Sequence, residues 1–387
     1  MIYKDYYRTN KGSKKHALSR WLFDKATVLL KYTNRSKNIT PNKIIIICNG
    51  HIGDTVMSTA VFREIKKVYP KAEVTALCSR LAAPILEKNP YINKIIAMDF
   101  FWRKENRNWK AIKEYFKVSE QIRKEKYDLG IALRSDLPNI YFLLYKSGVK
   151  NMAGYYNLDG GKYLLNNPFF YPEQEQHSSI ADLNLVNLSL HMSTKVNTPE
   201  IHFDKEDIGF TNMMFNEYDI NNYICICPGA CAKLQTWDLF YYEMIVYWMK
   251  KEYPNYKVLL CGSKSDEKII DTLALNNNNC IKLIDYNIRH LGIVFNHADA
   301  VLLQDGGPMH VAYAMMKEAD KKLIVLWGPN PLDHVAPLRG KIIHHKLDCY
   351  PCMRQESLCK KPEGKRCMDL ITIEEVKQAI QEALNER

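Results

Sequence analysis

The sequence predicts an α/β protein made of two doubly wound parallel-sheet halves facing across a cleft. Three observations predict it. The chain has 387 residues, more than one hydrophobic core usually supports. Its apolar runs are short and continuous, as in strands buried on both faces, and they alternate with segments of helical period. The alternation fades after residue 150 and restarts at Tyr223, so the pattern occurs twice.

The first half opens on Lys43-Ile-Ile-Ile-Ile-Cys48, a buried parallel strand, followed by the loop Asn49-Gly-His-Ile-Gly-Asp54. Met57, Val61, Ile65 and Val68 recur at helical spacing, and Tyr69-Pro70 stops that helix. Glu73–Cys78 is the second strand, Leu81–Glu87 a helix, and Asn93–Met98 the third strand. Lys104–Lys126 reads as a long charged helix and Asp128–Leu133 as the next strand. Residues 151–215 are rich in Asn, Tyr and Pro. They read as the end of the first domain plus a linker, with a helix near Ser179–Leu190. The second half carries strands at Tyr223–Cys227, Lys257–Cys261, Ile281–Ile284, Asp299–Leu303 and Lys322–Leu326. Helices are expected at Phe240–Tyr253, at Ile288–His297 and near the end at Ile371–Leu384. The resulting division is an arm at 1–42, a first domain at 43–215, a second at 216–371 and a C-terminal helix at 372–387.

Hydrophobic residues make up 47% and charged residues 25%, which suits a globular protein. No apolar run is long enough to span a bilayer, and the N-terminus lacks the apolar core of a secretory signal. Eleven cysteines, an odd number placed largely in strands, point to a reducing compartment, hence the cytoplasm. The formal charge is +11, but residues 1–42 hold ten basic side chains against two acids. The arm therefore carries +8 and the other 345 residues only +3. Trp21-Leu-Phe and Val28-Leu-Leu30 sit among its cations as in an amphipathic helix, which fits an anionic membrane surface. The plainer alternative is an arm whose apolar residues dock on the domain. Without a basic stripe or a recognisable module elsewhere, a nucleic-acid role is not expected.

In open α/β sheets ligands bind outside the C-terminal strand ends, so the strand-to-helix loops decide function. Asp305-Gly-Gly-Pro-Met-His310 follows a strand. Gly306 and Gly307 let backbone approach a ligand, Pro308 suits a helix start, and the free N–H groups there make an anion site suited to a diphosphate. His310 falls in the first turn. The plainer reading makes Asp305 a helix cap and His310 an ordinary first-turn residue. Pro228-Gly-Ala-Cys-Ala-Lys-Leu-Gln-Thr-Trp237 is a second such loop, with Lys233 as a phosphate contact. Asp266 and Glu267, in the loop after the strand ending at Cys261, offer carboxylates for a ribose, or are simple first-turn acids. Trp327-Gly-Pro-Asn330 is the fourth loop. In the first half, Gly50, His51 and Gly53 form the acceptor-side loop that brings Asp54 to a helix start. Asp54 is either an N-terminal cap or a general base that takes a proton from an incoming hydroxyl.

These loops together resemble glycosyltransferase family 9, the ADP-heptose:lipopolysaccharide heptosyltransferases. The resemblance rests on Ile45–Asp54, Asn89-Pro-Tyr-Ile92, Pro228-Gly-Ala230 with Trp237, Asp305–His310 and Gly328-Pro329. It covers residues 43 to about 380 and is loose over 100–215. It implies a GT-B architecture of two Rossmann-like domains and an inverting, metal-independent transfer of heptose from ADP-heptose to the lipopolysaccharide or lipooligosaccharide core, with no cofactor. Asp54 would be the catalytic base. Gly306, Gly307 and His310 would hold the diphosphate, with Asp305 at the donor sugar or its loop, Lys233 at phosphate, and Asp266 or Glu267 near the ribose. The implied partners are the nucleotide-sugar donor, an acidic glycolipid acceptor and the inner-leaflet surface reached by the basic arm. One position departs from the pattern. The family commonly has Lys two residues before the tryptophan, and Gln235 stands there, with Lys233 two residues earlier. The alternatives are transfer of a different nucleotide sugar by the same fold, or a GT-B-like nucleotide-sugar epimerase. Cys349, Cys352, Cys359 and Cys367, spaced C-x2-C-x6-C-x7-C, read as a structural zinc site, as one or two reducible disulfides, or as unpaired thiols that tighten the turn before Ile371–Leu384. No catalytic metal is expected.

Overall fold

The computed structural model describes residues 21–22, 24–28, 40–103, 106–133, 139–156, 161–171, 176–196, 198–230, 232–275, 277–352, 359 and 367–385. The chain divides into two compact units, Met1–His202 and Phe203–Arg387.

The first unit holds strands β1 (Lys43–Cys48), β2 (Glu73–Ser79), β3 (Lys94–Met98), β4 (Leu129–Ala132), β5 (Asn151–Tyr155) and β6 (Asn167–Phe169). They form one sheet in the order β3-β2-β1-β4-β5-β6, with every pairing parallel. The four isoleucines of β1 are fully buried, as the run of β-branched residues demands of a central strand. Helices α1 (Ile52–Val68), α2 (Ala83–Leu86), α3 (Trp109–Glu125), α4 (Asn139–Lys146) and α5 (Ser178–Leu190) connect or cover these strands.

Helix α6 (Lys205–Glu217) opens the second unit, which contains strands β7 (Tyr223–Ile226), β8 (Lys257–Gly262), β9 (Cys280–Ile284), β10 (Ala300–Gln304), β11 (Leu323–Trp327) and β12 (Lys341–His344). Their order is β12-β11-β10-β7-β8-β9, again all parallel. Counted from its first strand, each sheet has the doubly wound order 3-2-1-4-5-6. The strand order therefore reverses between β1 and β4 in one unit and between β7 and β10 in the other. The remaining helices are α7 (Leu239–Glu252), α8 (Glu267–Ala274), α9 (Ile288–His297), α10 (Gly307–Met315), α11 (Ala319–Lys322), α12 (Leu332–Val335) and α13 (Ile373–Asn385).

Composition places the domain boundary at 215/216, whereas compactness places it at 202/203. The reason is α6. Its Asp207 accepts from the Arg289 guanidinium at 3.2 Å and lies 2.9 Å from His290 Nε2, both on α9 of the second unit. Val376, Ala379, Ile380 and Ala383 of α13 join the same core as Trp237, Tyr242 and Ile245, so the C-terminal helix belongs to that unit. Among the described residues no helix is long and apolar enough to cross a membrane. Most of the arm 1–42 lies outside the described residues, but residues 21–22 and 24–28 of the expected amphipathic segment are helical, with Leu22 and Val28 exposed, while Phe23, Leu29 and Leu30 lie outside the described residues. Within its described part, Asp24 is buried and accepts from the backbone N–H groups of Gly161 at 2.6 Å and Lys162 at 3.1 Å. That short piece docks on the first unit.

Candidate active site

In the first unit the chain leaves β1 at Cys48 and enters α1 at Ile52, beside the point where strand order reverses. Asp54 sits in the first turn of α1 and is half-buried. Its Oδ2 accepts from the His51 backbone N–H at 2.9 Å, so the carboxylate folds back over the loop. Gly50 makes that possible. A Cβ there would lie 2.2 Å from Asp54 Cβ and 2.8 Å from its Oδ2, well inside van der Waals contact. Gly53 is buried at the helix start and His51 is exposed. Arg103 braces the loop from outside. Its guanidinium lies 3.0 Å from His51 Nδ1 and also donates to the Asn49 carbonyl. Beneath the loop, Ser58 Oγ lies 2.9 Å from the Asp54 carbonyl and 2.6 Å from Asp182 Oδ2. Asp182, on α5, is only 2% exposed. Asp54, Ser58, Asp182, Thr55 and Ser178 line one narrow pocket at the end of β1 and β4. A carboxylate poised at a helix start beside a small pocket is equipped to take a proton from a hydroxyl.

The second unit gathers its loops at its own reversal point. Gln304, the last residue of β10, is buried and ties two segments of the β7 loop together. Its Oε1 accepts from Trp237 N–H at 2.5 Å and its Nε2 donates to the Pro228 carbonyl at 2.6 Å. Asp305 is 6% exposed. Its Oδ2 accepts from Gln235 Nε2 at 2.8 Å and from Asn330 Nδ2 at 2.5 Å. Burial pushes its carboxyl above the usual range, and the two carboxamide donors oppose the shift. The plainer reading of Asp305, a helix cap, does not describe what it does. Gly306 is the N-cap of α10 and no side chain caps it. Three loops, after β7, β10 and β11, therefore meet on one buried carboxylate.

Helix α10 starts at Gly307, has Pro308 in its first turn and buries His310. A Cβ on Gly306 would meet no atom closer than 3.9 Å, so the packing of the unit leaves open space at this helix start. The first-turn N–H groups of a helix lack intrahelical partners, and here no side chain caps them. Lys233 is exposed on a short 3₁₀ turn, Lys233–Gln235. Asp266 accepts from the Ser263 backbone N–H at 2.9 Å and its hydroxyl at 2.7 Å. Gly229 and Gly262 are shaped around it, since a Cβ on either would come within 2.4 Å or 2.9 Å of its side chain. Glu267 pairs with Lys264 at 2.7 Å on the surface.

Sequence reasoning did not pick out Ser58, Asp182 and Asn330. Asp182 carried a signal, being a carboxylate within the largely apolar run Ile180–Val186. Asn330 carried none beyond its place in the fourth loop. The Asn89-Pro-Tyr-Ile92 stretch proves to be a turn, in which Asn89 Oδ1 accepts from Tyr91 N–H at 2.9 Å. Among the described residues no group of three or more His, Cys, Asp or Glu side chains is placed to hold a metal ion.

The chain is 23% identical over 321 residues to the lipooligosaccharide heptosyltransferase 2 of Haemophilus ducreyi, covering 79% of this chain and 88% of that one. Its fold is similar to a solved glycosyl transferase family 9 protein of Veillonella parvula, with a TM-score of 0.75 at 17% identity, covering 92% and 100% of the two chains. It is also similar to the ADP-heptose lipopolysaccharide heptosyltransferase II of Escherichia coli, with a TM-score of 0.68 at 21% identity over 88% and 98%. The two parallel-sheet units are those of the GT-B fold that these structures share. The model of glycosyltransferase family 9 (heptosyltransferase) matches residues 115–362, most of the chain, and with both reversal-point loops furnished as above, the protein belongs to that glycosyltransferase family.

Proposed function

We propose that the chain transfers heptose from ADP-heptose to a sugar of the lipopolysaccharide or lipooligosaccharide core, with inversion and without a metal ion. One observation carries the reading: each unit sets its expected residues at its own reversal point, Asp54 in the first and Gly306, Gly307 and His310 in the second. The names of the similar heptosyltransferases support the donor and the acceptor class.

In this reading Asp54 takes the proton from the acceptor hydroxyl as that oxygen attacks the anomeric carbon. The bond to ADP breaks, and its charge goes to the diphosphate. The amides at the start of α10, with His310 and Lys233, stabilise that charge where it develops. Asp305 orients the sugar, and Asp266 or Glu267 lies nearest the ribose. Attack from the face opposite the leaving group inverts the anomeric centre. The protein works in the cytoplasm at the inner-leaflet surface, a placement supported by ten free cysteines among the described residues and by the basic composition of the arm.

The deciding variant is Asp54→Asn. It keeps the shape of the loop and removes the base. Transfer should fall by at least about 10²-fold, while ADP binding by calorimetry stays unchanged. Turnover near the wild-type rate would remove Asp54 from the reaction. A second reading, the same chemistry on a different nucleotide sugar, is favoured by one observation. Gln235 is neutral and is spent on Asp305 rather than offered to a phosphate.

A further inference from the structure

Helix α3 buries Ala111, Tyr115, Val118 and Ile122 against the first unit. Its opposite stripe is unusual. Trp109 is 78% exposed and Phe116 50% exposed, two turns apart on one face. Lys110, Lys113 and Lys117 are exposed between and beside them. Helix α4 extends the stripe. Lys146 Nζ lies 4.0 Å from the Phe116 ring centroid, and Phe142, one turn before it, is exposed. The nearby acids are spent elsewhere. Glu114 pairs with Arg80 and accepts from the Asp99 amide, and Glu120 pairs with Arg123. Among the described residues this leaves Lys110, Lys113 and Lys117 without a paired carboxylate.

Exposed aromatics ringed by unpaired lysines match the headgroup layer of an anionic bilayer. Indole and phenyl rings settle at the level where chains meet headgroups, and lysines sit over lipid phosphates. We propose that the α3–α4 face, built on Trp109, Phe116, Phe142 and the lysines around them, is a membrane-docking surface for anionic phospholipid. It is distinct from the basic arm.

The face borders the candidate active site of its own unit. Phe101 and Trp102 pack edge-on with Tyr115 at centroid distances of 5.4 and 6.2 Å, and Tyr115 packs on Phe116. The next residue, Arg103, holds the Asn49–His51 loop that precedes Asp54. Docking through α3 therefore fixes the base-bearing loop close to the lipid surface. That benefit rests on the acceptor reading above, but the binding itself does not.

The test is co-sedimentation of the full chain with vesicles, phosphatidylcholine alone against phosphatidylcholine with phosphatidylglycerol. Trp109→Ala and the combined Lys110→Gln, Lys113→Gln, Lys117→Gln variant are compared with wild type. Each lysine should contribute on the order of fivefold in partitioning, so the triple variant loses roughly a hundredfold on anionic vesicles. Trp109 fluorescence should shift to the blue on vesicle binding, read as the difference between wild type and Trp109→Ala. Transfer to a delipidated acceptor in solution should stay at the wild-type rate in every variant, which also shows that they fold. Undiminished vesicle binding by the triple variant overturns the proposal. So does sedimentation velocity showing a wild-type dimer that Trp109→Ala dissociates, since the face would then meet a second copy. An inactive Asp54→Asn leaves this outcome untouched, and a failed vesicle assay leaves Asp54 untouched.

Discussion

At the scale of single residues, Asp305 is the most informative group. It is a buried carboxylate satisfied by two neutral carboxamides, with no cation at its oxygens among the described residues. Its folded pKa is raised, so the folded state holds that proton to a higher pH than the unfolded chain does. Stability from this group is complete below the unfolded carboxylate pKa and is lost as pH climbs through the folded value. Asp305→Asn keeps an acceptor oxygen for both carboxamides and deletes the charge. Its melting temperature should match wild type near pH 4 and exceed it increasingly toward pH 7, by scanning calorimetry, while transfer falls. A gap that shrinks as pH rises contradicts a raised pKa. Little of this was legible beforehand. The Asp-Gly-Gly-Pro stretch advertised a ligand loop, but the partners of Asp305 come from positions 235 and 330, 70 and 25 residues away along the chain. A local motif carries no information about contacts that only the sheet order brings together.

At the scale of elements, strands that are runs of Ile, Val and Leu were readable almost to the residue. The run Lys43–Cys48 became β1 with both ends as expected. Three strands escaped: β12, where Ile342-Ile343 is too short a run to stand out, and β5 and β6, which lack that signature. β5 reads Asn-Met-Ala-Gly-Tyr and is buried by its neighbours rather than by its own propensity, while β6 contains Pro168 and survives only as an edge strand. Glycine spacing was legible as loops but not as causes, and the two key glycines differ in kind. Gly50 is needed by Asp54, whereas Gly306 faces open space. Gly50→Ala should cost about 1–3 kcal/mol in urea unfolding, as overpacking does, and should depress transfer by displacing Asp54. Gly306 has an extended φ of 169°, which alanine adopts freely. Gly306→Ala should therefore change stability by less than about 1 kcal/mol and still weaken ADP binding severalfold by calorimetry. Equal stability losses in the two variants would mean that α10 needs its glycine for folding and not for a ligand.

At the scale of the whole molecule, two units of equal topology are proposed to take different tasks. Their cores share no residue, one built around Ile45, Leu77 and Tyr141 and the other around Trp237, Leu302 and Ile380. A ligand that binds only one of them stabilises that one by mass action, about 2.7 kcal/mol at a concentration a hundred times its Kd. The proposed division of labour then has a spatial signature. With saturating ADP, hydrogen exchange should slow at 228–238, 262–267, 304–310 and 328–330, and the 49–58 segment around Asp54 should exchange as in the free protein. UDP and GDP, offered at the same concentration, should protect the second unit less, because the ribose and diphosphate contacts are common to all three and only the base distinguishes them. Protection by UDP or GDP that exceeds ADP would keep the anion site and the fold but change the donor, which is the outcome that Gln235 makes worth measuring. Protection concentrated at 49–58 would be more serious, because it would put the nucleotide on Asp54 and leave the amides of α10 without a diphosphate to hold.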